Sequence, residues 1–197
     1  MSKTLLITGF DPFGGETVNP AWEAVKRLPE QIGNYRLQKL QIPTVFGAGA
    51  QAVLDAAHTL QPNLILCIGQ AGGRSAVTPE RIAVNIRDAK IADNLGNQPI
   101  GERVVPEGPA AYFATVDVMA MVQFAKTKGL PAVVSNSAGA FVCNDVLYTL
   151  LHTFDGSDTK VGFIHVPWLS EQGTPSLPLE QTVAALEAMI ESCDSLR

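Results

Sequence analysis

The sequence predicts an α/β fold, a three-layer α/β/α sandwich built around a mostly parallel, twisted sheet. Short apolar runs alternate along the chain with longer segments of helical periodicity, which is the order expected of a parallel sheet covered by helices. The run NLILCI at 63–68 is almost wholly apolar, as is typical of a strand buried on both faces. Neither an internal repeat nor a linker interrupts the 197 residues, so we expect one domain spanning 1–197.

The first half of the chain is predicted to contain three strands and two helices. Short apolar or alternating runs place the strands at 3–8, 35–42 and 63–68. Asn19 followed by Pro20 predicts a helix that continues to Leu28, because Asn caps helix N-termini and Pro suits the first helical position. An Ala-rich segment with apolar residues at helical spacing predicts a second helix over 48–60.

The second half of the chain continues the alternation. Strands are predicted at 80–86, 132–135 and 161–166, and helices at 116–126, 143–152 and 179–190. Gly129 ends the first of these helices, and small residues at 136–141 form a turn before the second. The stretch from 86 to about Pro109 has no clear period.

Four segments are expected to meet at one edge of the sheet. Loops at 9–19, 69–79 and 135–143 follow predicted strands, and His165 lies near the end of another strand. Ligands of open α/β sheets bind beyond the carboxyl ends of the strands. We therefore expect the functional site among these four segments.

Composition and charge exclude several classes of protein. Hydrophobic residues make up 46% of the chain and charged residues 17%, which excludes a disordered chain and favours a large core or a self-association surface. The net charge of −5 leaves no basic stripe for a phosphate backbone, so we expect no nucleic-acid partner. The apolar run near the N-terminus is too short for a signal-peptide core or a membrane span, so we expect a soluble, cytoplasmic protein with no membrane partner.

The loop after the first predicted strand resembles a phosphate-binding loop only superficially. That loop needs Lys and then Ser or Thr after its second glycine, where this chain has Gly15 and Glu16. No GxGxxG motif follows a predicted strand, and the sequence has no GxSxG serine elbow. We therefore expect no nucleotide cofactor and no serine nucleophile of that type.

The three cysteines, Cys67, Cys143 and Cys193, form no CxxC or Cys/His metal spacing, so we expect free thiols in a reducing compartment and no bound metal. Cys67 lies inside the apolar run, and Cys193 has no local activator. Cys143 is predicted at a helix N-terminus, where free amides and the helix dipole favour a thiolate. This feature alone leaves two interpretations open, a nucleophile and a small buried cysteine.

A nucleophilic cysteine needs a base and a group that orients the base. Of His58, His152 and His165, only His165 is predicted at the site edge of the sheet, although a core histidine bonded to backbone fits the same pattern. Glu80 begins a predicted strand behind a glycine-rich loop, where it is either a site residue or an exposed glutamate.

Several long motifs, in a fixed order, carry a resemblance to a known family. They are TGFDPFGG at 8–15, NPAWE at 19–23, GQAGGR at 69–74, PERIAVN at 79–85, DNLGNQP at 93–99, EGPAAYF at 107–113, SNSAGAFVCN at 135–144 and GFIHVP at 162–167. Over essentially its whole length, the chain resembles the pyroglutamyl peptidase I family of cytosolic cysteine exopeptidases.

The resemblance implies a set of site residues. The catalytic positions of the family correspond here to Glu80, Cys143 and His165. The substrate pocket of the family corresponds to Phe10, Phe13, Gln70, Ile91 and Phe141. The pocket is apolar, and Gln70 would place backbone groups against the lactam. Lys90 corresponds to an arginine near the oxyanion site of the family.

The resemblance also implies an activity. The protein would hydrolyse the amide bond after an N-terminal pyroglutamyl residue of peptides and proteins, through a thioester on Cys143. His165 would move the proton, Glu80 would hold the imidazole, and backbone amides with Lys90 would stabilise the oxyanion. No metal and no cofactor is implied, and the family forms oligomers, so we expect a homodimer or homotetramer.

Three positions depart from the pattern of the family. Asp145 stands where a His is usual, Lys90 stands for a common Arg, and Ala140 stands for a common Thr. Lys keeps the positive charge of Arg but loses its planar fork. A carboxylate of Asp145 close to the thiol would raise the pKa of that thiol.

Two other classes of function remain open. A different cysteine hydrolase on an α/β sheet, of the amidotransferase-like or glyoxalase-like kind, would share the Cys–His–Glu set but not the phenylalanine-lined pocket. A catalytically silent binding module is the non-enzyme alternative, and Asp145 is its best support.

Overall fold

A six-stranded sheet forms the centre of the protein, for which a computed structural model describes residues 2–195. Its strands, in spatial order, are β2 (Gln31–Ile32), β3 (Tyr35–Ile42), β1 (Lys3–Phe10), β4 (Leu64–Gln70), β8 (Lys160–Val166) and β5 (Thr78–Pro79). The four long strands pair in parallel, and the two short edge strands are antiparallel to their neighbours. The predicted α/β fold with a mostly parallel sheet is confirmed.

Within the described residues, five helices cover the two faces of this sheet. One face carries α1 (Pro20–Arg27), α3 (Val118–Thr127) and α5 (Leu179–Ser195), and the other carries α2 (Ala48–Leu60) and α4 (Val142–Thr153). This is the three-layer arrangement that the alternation of strands and helices predicts. No helix between residues 2 and 195 has both the length and the apolar character needed to cross a membrane.

Alternation along the parallel strands divides the core into two layers. Leu5 and Ile7 of β1 pack with α1, α3 and α5, whereas Leu6 packs with α2 and α4. All three side chains are buried. Because successive strand residues face opposite sides of a sheet, a continuous apolar run is what a sheet covered on both faces requires.

The N-terminus of α1 is capped as the Asn-Pro pair predicts. The Asn19 side chain accepts a hydrogen bond from the amide of Ala21 at 3.0 Å and donates one to the carbonyl of Asp11 at 2.9 Å. A side-chain cap of this kind stabilises a helix by about 1 kcal/mol. The same residue therefore starts α1 and holds the loop after β1 in place.

The strand predicted at 80–86 is wrong in its bounds, because only Ile82–Val84 of this range forms a strand. Thr78–Pro79 forms β5 at the edge of the main sheet, while β6 (Ile82–Val84) pairs with β7 (Ala111–Phe113) in a separate antiparallel sheet. The buried Asn144 of α4 exchanges hydrogen bonds with the backbone of β6 and draws that segment away from the main sheet. The chain therefore changes sheets between β5 and β6, at the start of the predicted strand.

The strand predicted at 132–135 is also wrong, although the segment is extended. It makes two isolated parallel bridges, through Ala132 and Ser135, with the segment around β5. Pro79 has no N–H, so the ladder lacks the hydrogen bond that this position would donate. The segment still carries the chain along the sheet edge to the turn before α4.

The stretch without a clear period, between β6 and β7, is held in place by Asp93. Its carboxylate accepts a hydrogen bond from the amide of Phe46 at 3.0 Å and from two amides of its own loop at 2.9 Å. The next residue, Asn94, donates to the side chain of Asp11 at 3.1 Å and to the carbonyl of Pro12 at 2.9 Å. These contacts attach the loop to the segment that follows β1.

Candidate active site

A cavity of about 310 Å³ opens where the carboxyl ends of β1, β3, β4 and β8 lie side by side. Residues from the segments 10–19, 70–74 and 137–143 line it, together with Thr44 and His165. The four segments that were expected to meet at this edge of the sheet therefore do meet there.

Cys143 is the second residue of α4, and it lines the cavity. The preceding Phe141 is the N-cap residue and supplies no side-chain hydrogen bond to the helix. The amides of the first turn and the positive end of the helix dipole are therefore available beside the thiol.

The thiol of Cys143 lies directly against the sheet at Gly69. A Cβ atom at position 69 would stand 2.9 Å from the sulfur, closer than real contacts of this kind allow. Gly69 is the register partner of His165 between β4 and β8. The sulfur therefore lies against the strand residue that is paired with His165.

His165 and Glu80 form a buried pair. The imidazole Nδ1 lies 2.7 Å from the Glu80 Oε1 atom, and both residues are shielded from solvent. An ionised carboxylate can only accept a hydrogen bond, so Nδ1 carries the proton. The Nε2 atom of the neutral ring is then left to accept a proton from a nucleophile.

Arg74 is a second partner of the same carboxylate. Its Nη1 atom donates to Glu80 Oε1 at 2.7 Å and also to the hydroxyl of Thr78, and its Nη2 atom lies 3.5 Å from the carbonyl of Ser137. Arg74 lines the cavity, so a charged guanidinium belongs to the site.

Burial disfavours the charged forms of both reacting groups, the thiolate of Cys143 and the imidazolium of His165. Burial raises the pKa of the Cys143 thiol to about 12, and the negative charge of Glu80 is the second cause. Burial also lowers the pKa of His165, against the hydrogen bond and the charge of Glu80, which raise it. A pair of this kind reacts when the imidazole removes the thiol proton during the attack.

Glu80 keeps its charge although it is completely buried. Burial on its own raises the pKa of this carboxyl, but the hydrogen bond and charge of His165 and a hydrogen bond from Arg74 bring it below its ordinary value. Both partners meet Oε1, whereas the buried Oε2 atom has no hydrogen-bond partner among residues 2–195. A buried charge depends on such partners to offset its burial.

The other histidines and cysteines of the described chain lie away from the cavity lining. His58 and His152 are exposed, and the Nδ1 atom of His152 lies 2.8 Å from the hydroxyl of Tyr112. Cys67 is buried in β4, where burial raises its pKa to about 12, and Cys193 packs in the layer of α1, α3 and α5.

Four of the five residues predicted to contact the substrate line the cavity. The rings of Phe13 and Phe141 lie 6.1 Å apart, and Phe10 is buried beside them at the end of β1. Gln70 also lines the cavity, and its side-chain Oε1 atom is buried with no hydrogen-bond partner among residues 2–195. A buried acceptor without a partner is costly, so a ligand N–H in this cavity would gain from it.

Ile91 and Lys90 do not line the cavity. Both lie in the loop between β6 and β7, and Ile91 is 51% exposed. The loop is attached to the rest of the protein through Asp93 and Asn94, and both Lys90 and Ile91 are exposed at the surface. Substrate contact by Ile91 and an oxyanion role for Lys90 stay predictions that this geometry does not support.

Asp145 is an ion-pair partner and not an acidic neighbour of the thiol. The Nη2 atom of Arg87 lies 2.6 Å from one carboxylate oxygen, and the amide of Gly47 donates to the other at 2.7 Å. The raised pKa of Cys143 has other causes, of which burial is the largest. This departure from the family pattern therefore does not account for the raised pKa of the Cys143 thiol.

Arg74 and Thr44 also line the cavity, although the sequence motifs pointed to no role for either. Arg74 closes the GQAGGR motif directly after β4, and Thr44 follows the end of β3. The rule that ligands bind beyond the carboxyl ends of parallel strands applies to both positions. Applying that rule to the end of every predicted strand would have identified both residues as candidate site residues.

Comparisons with known proteins agree with the resemblance seen in the motifs. A family model described as pyroglutamyl peptidase matches residues 3–195. The pyrrolidone-carboxylate peptidase of Bacillus thuringiensis (strain Al Hakam) is 49% identical, over 96% of this chain and 92% of that protein.

Solved structures give the same result. Pyroglutamyl peptidase I from Bacillus amyloliquefaciens superposes with a TM-score of 0.94 at 43% identity, covering 98% of each chain. Pyrrolidone carboxyl peptidase from Thermococcus litoralis superposes with a TM-score of 0.93 at 36% identity, covering 98% of this chain and 94% of that one. On sequence, fold and site together, the chain belongs to the pyroglutamyl peptidase family of cysteine peptidases.

Proposed function

We propose that the protein hydrolyses the amide bond that follows an N-terminal pyroglutamyl residue of peptides and proteins. One observation carries this proposal: the Cys143 thiol and the His165 imidazole line one cavity, and Glu80 holds that imidazole at 2.7 Å. The names of the relatives, pyroglutamyl peptidase and pyrrolidone-carboxylate peptidase, support the same substrate.

The first half of the reaction forms a thioester. The Cys143 sulfur attacks the pyroglutamyl carbonyl carbon while the Nε2 atom of His165 takes the thiol proton. The tetrahedral intermediate then collapses, the carbon–nitrogen bond breaks, and the imidazolium gives its proton to the leaving amine. Glu80 accepts the hydrogen bond of Nδ1 throughout and stabilises the imidazolium as it forms.

The second half of the reaction consumes water. His165 takes a proton from a water molecule, whose oxygen attacks the thioester carbonyl carbon. The carbon–sulfur bond breaks, pyroglutamate leaves, and the proton returns to the Cys143 sulfur. Each proton transfer uses a side chain that lines the cavity.

The developing oxyanion is stabilised by backbone amides. The first turn of α4 has no side-chain cap at Phe141, so its N–H groups are available next to Cys143. Donors fixed before the reaction, in a site with little water, typically contribute about 3 kcal/mol each to the transition state. Lys90 is not needed for this role.

The cavity fits a flat, uncharged ring. Phe10, Phe13 and Phe141 supply apolar contacts for the ring carbons of a pyroglutamyl group. The unpartnered Oε1 atom of Gln70 matches the lactam N–H, which is a hydrogen-bond donor. Neither contact requires a charge on the substrate.

The two competing classes of function have less support. The hypothesis of a catalytically silent binding module was supported by the position of Asp145 near the thiol. The Asp145 carboxylate is instead paired with Arg87. A cysteine hydrolase that acts on the open-chain, polar side chain of glutamine would not need three phenylalanines around the acyl site. Neither alternative has an observation of its own in its favour.

We also propose a cytoplasmic location and self-association into a dimer or tetramer. The free cysteines are in keeping with a reducing compartment. Exposed apolar side chains, among them Leu95, Ile100 and Phe113, together with the low charged fraction of 17%, favour contact with another copy.

A pyroglutamyl amide with a chromogenic amine as leaving group tests the activity. We expect the wild-type protein to release the amine and iodoacetamide to abolish the release. Cys143→Ser is the inactive variant, and Cys67→Ser and Cys193→Ser are the matched controls that keep the chemical step. Full turnover by Cys143→Ser, or no turnover by the wild-type protein, contradicts the proposal.

A further inference from the structure

Arg74 connects the glycine-rich loop after β4 to three other parts of the site. Its guanidinium donates to Glu80 Oε1 at 2.7 Å and to the hydroxyl of Thr78, and it approaches the carbonyl of Ser137 at 3.5 Å. The side chain is 29% exposed and lines the cavity. The oxygen that it contacts is the one that accepts the hydrogen bond of His165.

Sharing one carboxylate oxygen has an electrostatic consequence. A carboxylate paired with His165 alone would stabilise the protonated imidazole and weaken the ring as an acceptor of the thiol proton. A guanidinium on the same oxygen balances that negative charge. The hydrogen bond between His165 and Glu80 still orients the imidazole ring. The guanidinium reduces the extent to which the negative carboxylate raises the pKa of that ring.

We infer that Arg74 is a positioning residue of this site: it fixes the Glu80 carboxylate and supplies the positive charge that keeps His165 neutral and favours ionisation of Cys143. The inference rests on the proposed function, in which His165 acts as the base. Arg74 makes and breaks no bond of the substrate, and it acts through Glu80.

The titratable groups that face the reacting pair come from several elements. Glu80 follows β5, Cys67 lies in β4, and Arg74 follows β4, while the pair itself belongs to α4 and β8. Burial is the largest cause of the shifted pKa of both Cys143 and His165, and the charge of Arg74 lowers the pKa of each. Loss of that charge therefore moves both titrations to higher pH.

A merely structural role would give a different result. If Arg74 only tied the loop after β4 to its neighbours, its loss would lower activity by a similar factor at every pH. A charge that acts on His165 and Cys143 instead moves the pH at which activity and thiol reactivity appear. The two roles are therefore separated by pH profiles and not by activity at one pH.

Two variants separate the charge of Arg74 from its hydrogen bond. Arg74→Gln keeps a donor for Glu80 but removes the charge, and Arg74→Lys keeps the charge but loses the planar fork. Arg27→Gln is the matched control, because Arg27 also pairs with a glutamate, Glu180 at 3.1 Å, but on the exposed surface.

The first readout is the rate at which iodoacetamide alkylates Cys143 as a function of pH, followed by mass spectrometry of the peptide that contains this residue. We expect Arg74→Gln to slow alkylation about tenfold at a given pH near neutrality, the equivalent of one pKa unit. Arg74→Lys and Arg27→Gln are expected to follow the wild-type profile.

The second readout is kcat/KM for the pyroglutamyl amide as a function of pH. Its acid limb reports the protonation of His165 in the free enzyme. We expect this limb to move to higher pH in Arg74→Gln and to stay in place in Arg74→Lys.

An Arg74→Gln protein with unmoved alkylation and activity profiles overturns the inference, whatever its overall loss of rate. If this variant does not fold, Arg74→Met takes its place as the variant without the charge: unmoved profiles overturn the inference, and profiles displaced to higher pH support it. A displaced acid limb in Arg74→Lys, which keeps the charge, also contradicts the inference. Alkylation needs no substrate. A wild-type protein that fails to cleave pyroglutamyl amides therefore refutes the proposed function and leaves the alkylation test of Arg74 in force.

Discussion

The sulfur of Cys143 lies so close to the backbone of Gly69 that a Cβ atom at position 69 would stand 2.9 Å from it. Gly69 is also the register partner of His165 across β4 and β8. Because Gly69 has no side chain, the N-terminus of α4 can place the thiol against the sheet, at the residue paired with the proposed base. The reactive geometry depends on a strand residue that has no functional group of its own.

Gly69→Ala is expected to displace the thiol. The added methyl group would meet the Cys143 sulfur at 2.9 Å and Cζ of Phe163 at 2.7 Å, so at least one of the two must move. A displacement of about 1 Å at a reacting centre costs on the order of 100-fold in rate. We expect kcat to fall by about this factor, measured by steady-state kinetics on folded protein.

Gly162→Ala is the control for this variant. Gly162 lies in β8, and a Cβ atom there would stand 2.6 Å from Cγ2 of Val116, far along the strand from the cavity. Both variants are expected to lower the melting temperature, but only Gly69→Ala is expected to lose kcat. Equal losses of kcat would mean that the thiol does not depend on the contact at Gly69.

Among the histidines, only His165 is expected to matter for turnover. Removal of a positioned general base typically costs about 10²–10⁴ in rate, so His165→Ala should lose at least 100-fold in kcat/KM. His58→Ala and His152→Ala change exposed residues and serve as controls. Glu80→Gln is expected to lower kcat more than it changes KM, because it alters the orientation of the imidazole. Similar losses in all three histidine variants would contradict the assignment.

The pH dependence of the alkylation of Cys143 distinguishes two forms of the Cys143–His165 pair: a neutral thiol with a neutral imidazole, and a thiolate with an imidazolium. Because the pKa of Cys143 is raised to about 12, the thiolate fraction rises about tenfold per pH unit through the neutral range. We expect the alkylation rate of Cys143 to rise in the same way from about pH 7 to 10. A rate that is flat across this range would indicate a preformed thiolate.

The acid side of the activity profile follows from the same pair. Burial lowers the pKa of His165 below the ordinary value of 6.5, so the base stays unprotonated as the pH falls through that value. Activity is therefore retained at slightly acidic pH, and it is lost only at the lower folded-state pKa. The unfolded chain takes up this proton first, so the free energy of unfolding is expected to decrease as the pH falls below about 6.5.

The buried ion pair of Arg87 and Asp145 is expected to stabilise the start of α4. Arg87→Met leaves the completely buried carboxylate of Asp145 without its charged partner, and breaking a buried pair costs about 3–5 kcal/mol. Arg87→Met/Asp145→Asn should recover part of this loss, since Asn can still accept the hydrogen bond of Gly47. Urea denaturation gives the free energies of unfolding.

The exposed pair of Arg27 and Glu180 provides the comparison for the buried one. Arg27→Met is expected to cost less than about 1 kcal/mol, as is usual for surface ion pairs. Losses of the same size at positions 27 and 87 would show that Asp145 does not depend on Arg87.

We expect the protein to cleave only substrates whose N-terminal residue contains the lactam ring of pyroglutamate. A prolyl group has a similar ring but lacks the oxo group, and its free amine is charged at neutral pH. Binding it between Phe13 and Phe141 would bury a cation and leave site groups unpaired, which rejects such analogues by about 10⁴-fold or more. N-terminal glutaminyl and glutamyl residues carry the same charged amine. Comparable kcat/KM values for prolyl and pyroglutamyl amides would contradict the assignment of the pocket.

The elements with a strong local signal were predictable from the sequence. The apolar run at 63–68 corresponds to β4, and the Asn-Pro pair at Asn19 starts α1 with its side-chain cap. Apolar periodicity and helix capping act over a few residues, so a short window of sequence contains the whole signal. The same holds for Cys143, whose place at the start of α4 follows from the turn before it.

Predictions failed where the outcome depended on distant partners. The segment from 80 to 86 has the apolar pattern of one strand, yet only Ile82–Val84 forms a strand, which Asn144 of α4 bonds and which lies outside the main sheet. Pro79 interrupts the ladder to the segment at 132–135, a loss visible only once these segments are neighbours.

By itself, the sequence determined the alternation of strands and helices, the edge of the sheet that carries the site, and the helix that presents the thiol, because each follows from local pattern and strand direction. Only the tertiary structure decided that Glu80 meets His165 across 85 positions of chain, that Arg74 shares its carboxylate, and that Lys90 lies at the surface. These relations depend on the order β1–β4–β8–β5 and on how each loop is attached to its neighbours. Long-range packing sets both, and no short window of sequence encodes it.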